Sequence, residues 1–280
     1  MKVINSKLIL AASLFLTVSL TACYEKFDPE SYAPKVSIGG FTGSSDIAAT
    51  NLVAHFPFDG NYQDIISKTA GVNTGTSFGN GLKGQAMKGA ANGYVLFDPT
   101  AAILDLKSFT ITYWVNSQST TASGGIIGMV GLSQKSAFWG NIETFFENGA
   151  TNENGKFRAH IQNDTLDTWV SKDGIINLFD SWNHIALSYD ATSSTFSLYV
   201  NGSKSASSTV AKFGNLKWKN PGKMVFGTVQ FQTKPSLTSA SAGEPWASYL
   251  TGLLDEVRIY NVALKDAEVD ALVKLEARGK

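Results

Sequence analysis

The chain contains a single cysteine, Cys23, among its 280 residues. One cysteine excludes an intrachain disulfide and a metal site made of several thiolates. Stability must then come from burial of apolar side chains, and a chain of this length is long enough to bury a large core.

Net charge is also nearly absent. The 23 lysines and arginines balance 23 aspartates and glutamates, and removing Lys2 and Lys7 with a leader leaves 21 against 23, a net charge of −2. Nucleic-acid-binding proteins usually carry a basic excess that is concentrated in a patch. We therefore expect no nucleic-acid partner, and we expect contact with a membrane only through a lipid.

The N-terminus has the pattern of a secretory leader. Two lysines precede the hydrophobic run Leu8–Leu20, which is too short to cross a bilayer as a permanent helix. Two small residues then precede Cys23, and the segment Leu20–Cys23 resembles a bacterial lipobox. This resemblance implies a signal peptide at residues 1–22, a lipid on Cys23 and an outer-membrane lipoprotein that faces either the periplasm or the medium. The alternative is an ordinary secreted protein with an incidental cysteine.

The remainder divides into two segments of different composition. Residues 23–50 are rich in serine, glycine and other small residues, which predicts a flexible tether. Residues 51–280 contain short segments with alternating apolar and polar residues, such as Phe109–Val115 and Phe157–Gln162, as expected of half-buried antiparallel strands. A helical pattern occurs at Leu264–Leu275. We predict an all-β fold, a two-sheet antiparallel jelly-roll β-sandwich with a short C-terminal helix.

Six segments resemble a known family. They are, in chain order, Leu52–Gly60 (LVAHFPFDG), Gly84–Gly89 (GQAMKG), Phe109–Val115 (FTITYWV), Trp182–Asp190 (WNHIALSYD), Leu198–Gly202 (LYVNG) and Gly252–Asn261 (GLLDEVRIYN). In this order and spacing they resemble the laminin-G-like, concanavalin A-like lectin/glucanase domain over residues 51–275. The resemblance implies a jelly roll with ligand sites on the concave sheet or the rim loops. Residues 134–156 and 230–249 exceed the family pattern, and we expect loops specific to this protein there.

The carboxylate pattern of a glycosidase is missing from the sequence. A glycosidase needs two carboxyl groups placed across the scissile bond. The glucanases that share the resembled fold use Glu-x-Asp-x-Glu, which does not occur here. The adjacent Asp255 and Glu256 would point to opposite faces of a strand. We therefore expect a binding protein, with a divergent glycoside hydrolase as the remaining enzymatic alternative.

The resemblance also implies a structural calcium ion. Many relatives hold one between the first and last strands, and the corresponding carboxylates here are Asp59 and Asp255. Two carboxylates brought together from opposite chain ends would repel each other unless a cation lay between them. Alternatively, Asp59 forms a turn with Gly60 while Asp255 pairs with Arg258 or accepts backbone N–H groups.

The candidate ligand-binding residues are aromatic or carry several hydrogen-bonding groups: Trp139, Trp169, Trp246, Arg158, His160 and Tyr199. The three tryptophans lie outside the family-like segments, where an exposed indole is unfavourable unless it packs or binds a ligand. The other three lie on the outward faces of predicted strands. We predict a lipid-anchored protein that captures extracellular polysaccharide or oligosaccharide without cleaving it. A protein–protein adhesion or surface-complex module is the alternative.

Overall fold

The computed structural model of the protein describes residues 37–280, which form sixteen strands. They are β1 (Leu52–Phe56), β2 (Val72–Thr74), β3 (Ser77–Asn80), β4 (Gln85–Lys88), β5 (Tyr94–Phe97), β6 (Phe109–Asn116), β7 (Ile126–Gln134), β8 (Ile142–Phe146), β9 (Gly155–Gln162), β10 (Asp167–Ile175), β11 (Asn183–Asp190), β12 (Thr195–Val200), β13 (Ser203–Thr209), β14 (Pro221–Phe226), β15 (Ala247–Ser248) and β16 (Leu253–Tyr260). The helices in this part of the chain are α1 (Ala101–Leu104), α2 (Thr120–Ser123) and α3 (Asp266–Glu276), with 3-10 turns at Ser44–Asp46, Ala49–Asn51 and Gln230–Gln232.

The strands form two eight-stranded sheets. Sheet I has the order β13-β12-β11-β6-β16-β4-β3, and β1 pairs with β16. Sheet II has the order β10-β9-β8-β7-β14-β5-β2, and the short β15 runs parallel to β7. The other pairings are antiparallel. The predicted two-sheet jelly-roll sandwich with a C-terminal helix is therefore confirmed.

The main core lies between the two sheets. Phe109, Ile111 and Tyr113 on β6 and Phe157 and Ile161 on β9 all point into it, in agreement with the alternation seen in the sequence. Burying one such side chain contributes roughly 1.5–3 kcal/mol. No helix within residues 37–280 has the length and apolar character needed to span a membrane.

Helix α3 covers the outer face of sheet I. Its apolar side chains Val269 and Leu272 pack against Tyr199 of β12 and Tyr260 of β16 in a second core. The N-cap of this helix is Lys265, whose backbone N–H donates to the carboxylate of Glu268 (2.8 Å). Asp266 accepts a hydrogen bond from the hydroxyl of Tyr199 (2.7 Å) and thereby ties the helix to the sheet.

A buried ionic network joins α3 to sheet I. Arg258 Nε donates to Glu276 Oε1 (2.8 Å) and Arg258 Nη2 donates to Glu256 Oε2 (2.6 Å). The second oxygen of Glu276 accepts the indole N–H of Trp114 (2.7 Å). These side chains are at most 5% exposed, so each charge depends on its partner for solvation.

The later part of the predicted tether, residues 23–50, packs on the domain from Ile38 onward. Residues 1–36, which include Cys23 and the leader, lie outside the described residues. Ile47 is buried in the second core, and Ser44 Oγ accepts a hydrogen bond from Arg258 Nη2 (3.1 Å). Small residues predicted flexibility, whereas two 3-10 turns and these contacts fix this segment.

One expectation about loops was wrong. Residues 134–156 contain strand β8, which lies between β7 and β9 in sheet II. This strand owes its conformation to ladder hydrogen bonds with its neighbours, and these can override a weak local preference.

Candidate ligand-binding site

The outer face of sheet II presents side chains that alternate with those of the core. Strand pairing places His160 of β9 beside Trp169 of β10, and Arg158 beside Ser171. On the other side of β9, Arg158 pairs with Phe145 of β8. Because residues two apart on a strand share a face, these five side chains form one continuous surface.

Two loops bring further aromatic rings to this surface. The loop between β7 and β8 carries Phe138 and Trp139, and the loop before β15 carries Trp246. The 3-10 turn Gln230–Gln232 adds Phe231, whose ring centroid lies 4.6 Å from that of Phe138. The rings come from segments about ninety residues apart in the sequence, so tertiary structure must bring them together.

Gln230 holds these loops in place. Its side-chain Nε2 donates to the carbonyl oxygens of Ala137 (2.8 Å) and Phe138 (2.9 Å). Its Oε1 accepts the backbone N–H of Gln134 (2.7 Å). The side chain is fully buried, and its three hydrogen bonds satisfy backbone groups that would otherwise be unpaired.

The indoles meet at defined angles. The ring of Trp139 stacks on Phe145, with centroids 5.3 Å apart and planes 9° apart. Trp169 stands perpendicular to Trp139, at 5.2 Å and 89°, and Trp246 lies 6.2 Å from Trp139 on another side. Stacked and edge-to-face pairs are the favourable arrangements of aromatic rings, so the cluster is a rigid surface.

This cluster borders an open pocket of about 330 Å³, which we call the aromatic site. Its lining residues are Ile126, Trp139, Phe145, Glu147, Arg158, Trp169, Ser171 and Trp246. The volume lies near the lower end of the range of roughly 300–1,000 Å³ for small-molecule sites. Trp169 is 40% exposed and Trp246 is 38% exposed, although both belong to a well-packed cluster. An apolar pocket with a few polar groups at one edge is a typical binding surface.

Arg158 provides the polar edge of the site. Its Nη1 donates to Asp173 Oδ1 (2.6 Å) and to the carbonyl oxygen of Phe157 (2.9 Å), and its Nε lies 3.3 Å from Glu147 Oε2. The Arg158 guanidinium lowers the pKa of Asp173, so this carboxylate stays charged at neutral pH. The pocket edge therefore combines donors and acceptors of opposite charge.

His160 supports the aromatic site from below. It is 3% exposed, its Nδ1 lies 2.9 Å from the carbonyl oxygen of Gly140, and its ring centroid is 4.9 Å from that of Trp169. Burial lowers the pKa of His160, so the imidazole is neutral at pH 7. His160 thus holds Trp169 and the loop at Gly140 in position and does not line the pocket.

Tyr199 does not belong to this surface. It lies on β12 of sheet I, is 2% exposed and is covered by helix α3. We expected the outward position of Tyr199 to make it accessible to a ligand, and this expectation was wrong. The strand pattern gave the right face but could not indicate that a helix would cover it.

Sequence reasoning missed Glu143, which lies beneath the loops. It is 2% exposed, its Oε1 accepts the backbone N–H of Gln230 (2.7 Å), and its Oε2 has no hydrogen-bond partner within residues 37–280. Burial raises the pKa of Glu143 to about 7. The residue falls in the stretch expected to be a loop, so no strand pattern drew attention to it.

The family model of the concanavalin A-like lectin/glucanases superfamily matches residues 88–270. The chain belongs to this superfamily. Among curated protein sequences none matches it significantly.

Solved structures resemble this superfamily member at low sequence identity. Domain 4 of the extracellular arabinanase AbnA from Geobacillus stearothermophilus, in complex with arabinotriose, matches with a TM-score of 0.53 and 20% identity over 80% of this chain and 98% of that one. The binding domain of Paraclostridial Mosquitocidal Protein 1 matches at 0.57 and 16%, over 81% of this chain and 52% of that one. The botulinum neurotoxin DC binding domain in complex with rat synaptotagmin II matches at 0.58 and 10%, over 82% and 52%. The chain thus spans about half of each toxin domain, and these likenesses show a shared fold.

Asp59 and Asp255 both bind the turn between β3 and β4. Asp255 Oδ2 accepts the backbone N–H groups of Leu82 (2.8 Å) and Lys83 (3.1 Å), and Asp59 Oδ1 accepts that of Gln85 (2.7 Å). Calcium is bound by oxygen ligands, but these carboxylate oxygens already accept hydrogen bonds from backbone N–H groups. Among the described residues no group of three or more acidic or histidine side chains is arranged to hold a metal. This donor set fits a clamp on the turn better than a calcium site, and calcium binding stays a prediction.

Proposed function

We propose that this protein binds glycans through the aromatic site and does so without cleaving them. Sugars present apolar C–H faces surrounded by hydroxyl groups. Such a ligand can place a C–H face against Trp169 or Trp246 while its hydroxyls bond to Arg158, Glu147 and Ser171 at the polar edge. The same polypeptide would act in capturing extracellular polysaccharide or oligosaccharide.

The exposure of two tryptophans in an ordered aromatic cluster is the observation that carries this proposal. Trp169 and Trp246 keep about two fifths of their surface accessible, although each packs against Trp139. A fold that needed these indoles only for stability could bury them more completely. Open aromatic surface of this kind usually marks a binding site.

The comparisons support a binding role at the level of the fold. One structure with this fold is a domain of an arabinanase solved with arabinotriose. Another is a toxin binding domain solved with synaptotagmin II. Saccharide binding is our leading proposal, and binding of a protein partner is the second candidate, favoured by the second of these structures and by the rigid aromatic surface itself.

A polysaccharide screen with two variants tests the proposal. Purified protein is run through native gels that contain plant, algal, fungal or host glycans, and retardation is compared with that in a blank gel. We expect at least one glycan to retard the wild type and Trp246→Ala to lose retardation. Ile176→Ala, which removes a more exposed apolar side chain outside the site (61% against 38% for Trp246), should retain it. Failure of every glycan, together with capture of a protein partner that Trp246→Ala abolishes, would replace the proposal with protein binding.

We further propose that the protein is an outer-membrane lipoprotein anchored through Cys23. The support is the leader sequence that ends in Leu20–Cys23, and these residues lie outside the described part of the structure. Multiple acyl chains on one residue give stable membrane attachment. Cells fed an alkyne-labelled fatty acid should label the wild type but not Cys23→Ala, and protease treatment of intact cells distinguishes a surface location from a periplasmic one. Equal labelling of both proteins would contradict the anchor.

A further inference from the structure

We propose that the aromatic site selects uncharged saccharides and discriminates against carboxylated or sulfated ones, an inference that rests on the proposed function. The selectivity follows from the charges along the polar edge of the pocket. An isolated arginine in a sugar-binding site would favour an acidic ligand, because guanidinium pairs strongly with carboxylate and sulfate. Arg158 is not isolated.

Two carboxylates neutralise the Arg158 guanidinium. Asp173 lies 2.6 Å from Nη1 and Glu147 lies 3.3 Å from Nε, so both of these nitrogens are directed at acidic groups of the protein. The Arg158 side chain is only 18% exposed. An anionic ligand that formed a bidentate pair with Arg158 would have to displace one of these carboxylates, and the gain from the new ion pair would be offset by loss of the old one.

Charged side chains of both signs also lie around the pocket edge. Glu147 lines the pocket itself and would repel an anion at short range. Lys156 lies beside Glu147 at the end of strands β8 and β9. The backbone N–H of Glu147 donates to the carbonyl oxygen of Lys156 (2.9 Å). Arg158 and Lys156 supply two positive charges and Glu147 and Asp173 supply two negative charges, so these four groups together carry no net charge, and Lys172 is a further cation near Asp173.

The groups that stay accessible suit hydroxyls. Arg158 Nη2 is the guanidinium nitrogen with no assigned hydrogen bond within residues 37–280, and Ser171 adds a hydroxyl that both donates and accepts. The Glu147 carboxylate is an acceptor a few ångströms from Arg158 Nε. A donor and an acceptor side by side match two neighbouring hydroxyls of one sugar, one accepting and one donating.

Matched pairs of polysaccharides test this selectivity. Each pair shares a backbone and differs only in charge: a β-glucan and its carboxymethyl derivative, a neutral xylan and a glucuronic acid-bearing xylan, a galactan and a sulfated galactan. We expect the neutral member of a pair to retard the protein at least tenfold more strongly, with little change when ionic strength is raised. Stronger binding to the acidic member, lost in high salt, would overturn the inference while the proposed function stands. Absence of retardation by every member would refute the proposed function, and the inference with it.

Two variants test the same selectivity by changing the charges of the protein instead of those of the polysaccharide. Glu147→Gln combined with Asp173→Asn removes both compensating charges and leaves the aromatic rings intact. We expect this double variant to gain salt-sensitive binding to the acidic members. Arg158→Gln should weaken binding to the neutral member about tenfold, the loss expected for one charge-assisted hydrogen bond. A double variant that still rejects acidic polysaccharides while it binds neutral ones would contradict the role assigned to these carboxylates.

Discussion

Replacing Trp169 with alanine tests the aromatic site most directly. A fully exposed indole presents about 250 Å², and Trp169 keeps 40% of its surface accessible, which leaves about 100 Å² for a ligand. A sugar that stacks on one ring face would cover about half of this area. At about 25 cal/mol per Å² the contact contributes about 1.2 kcal/mol, so Trp169→Ala should weaken binding about eightfold.

The measurement is calorimetric titration with the polysaccharide or oligosaccharide that retards the wild type. Because the other three fifths of Trp169 pack against Trp139 and Phe145, the alanine variant also loses up to about 3 kcal/mol of stability. Its folded state is therefore verified by thermal unfolding, and Trp169→Phe, which keeps a smaller ring, should bind two- to threefold more weakly than the wild type. A folded Trp169→Ala protein that binds as tightly as the wild type would refute the assignment of the ring as a stacking platform.

Three further predictions concern stability. Glu276→Ala leaves Arg258 buried without one of its two carboxylate partners and should cost about 3–5 kcal/mol in urea unfolding. Lys274→Ala, which breaks an exposed pair, should cost less than about 1 kcal/mol, and similar losses for the two variants would contradict the importance of the network. Burial raises the folded-state pKa of Glu143 to about 7 from an ordinary 4.5. The stability that protonation of this carboxyl contributes is therefore fully present below pH 4.5 and is lost as the pH rises through 7. The free energy of unfolding of Glu143→Gln should therefore fall by about 2–3 kcal/mol less than that of the wild type between pH 5 and pH 8. An equal fall in both proteins would show that the carboxyl titrates normally. If Asp255 clamps the turn through backbone N–H groups, the melting temperature should be the same in EDTA and in excess calcium, and a rise with calcium would establish the ion site.

Much of the sandwich was predictable because burial of a strand follows from local alternation. Phe109, Ile111 and Tyr113 point into the core as their spacing indicates, since successive side chains on a strand face opposite ways. Strands β8 and β10 were missed because glycine, asparagine and threonine obscure their pattern. Their conformation depends on pairing with β9, and no single segment of sequence contains that information.

The candidate site was predictable in its parts and not in its assembly. Tryptophans outside the family-like segments were a usable signal, and three of them do meet at one pocket. Their meeting depends on Gln230, which joins two loops about ninety residues apart, and on Glu143 beneath them. Both are ordinary polar residues in the sequence, and only the tertiary structure shows what they contact.

The two arginines on the outer faces of the sheets show why one face is covered and the other is open. Each is paired with two carboxylates, Arg258 with Glu256 and Glu276, and Arg158 with Glu147 and Asp173. On sheet I, one of those carboxylates belongs to α3, so the ion pairs hold the helix in place and the arginine is 1% exposed. On sheet II, both carboxylates belong to the sheet and its adjoining loop, so nothing is drawn over the surface. The same local pairing therefore closes one face and leaves the other, with its tryptophans, open to a ligand.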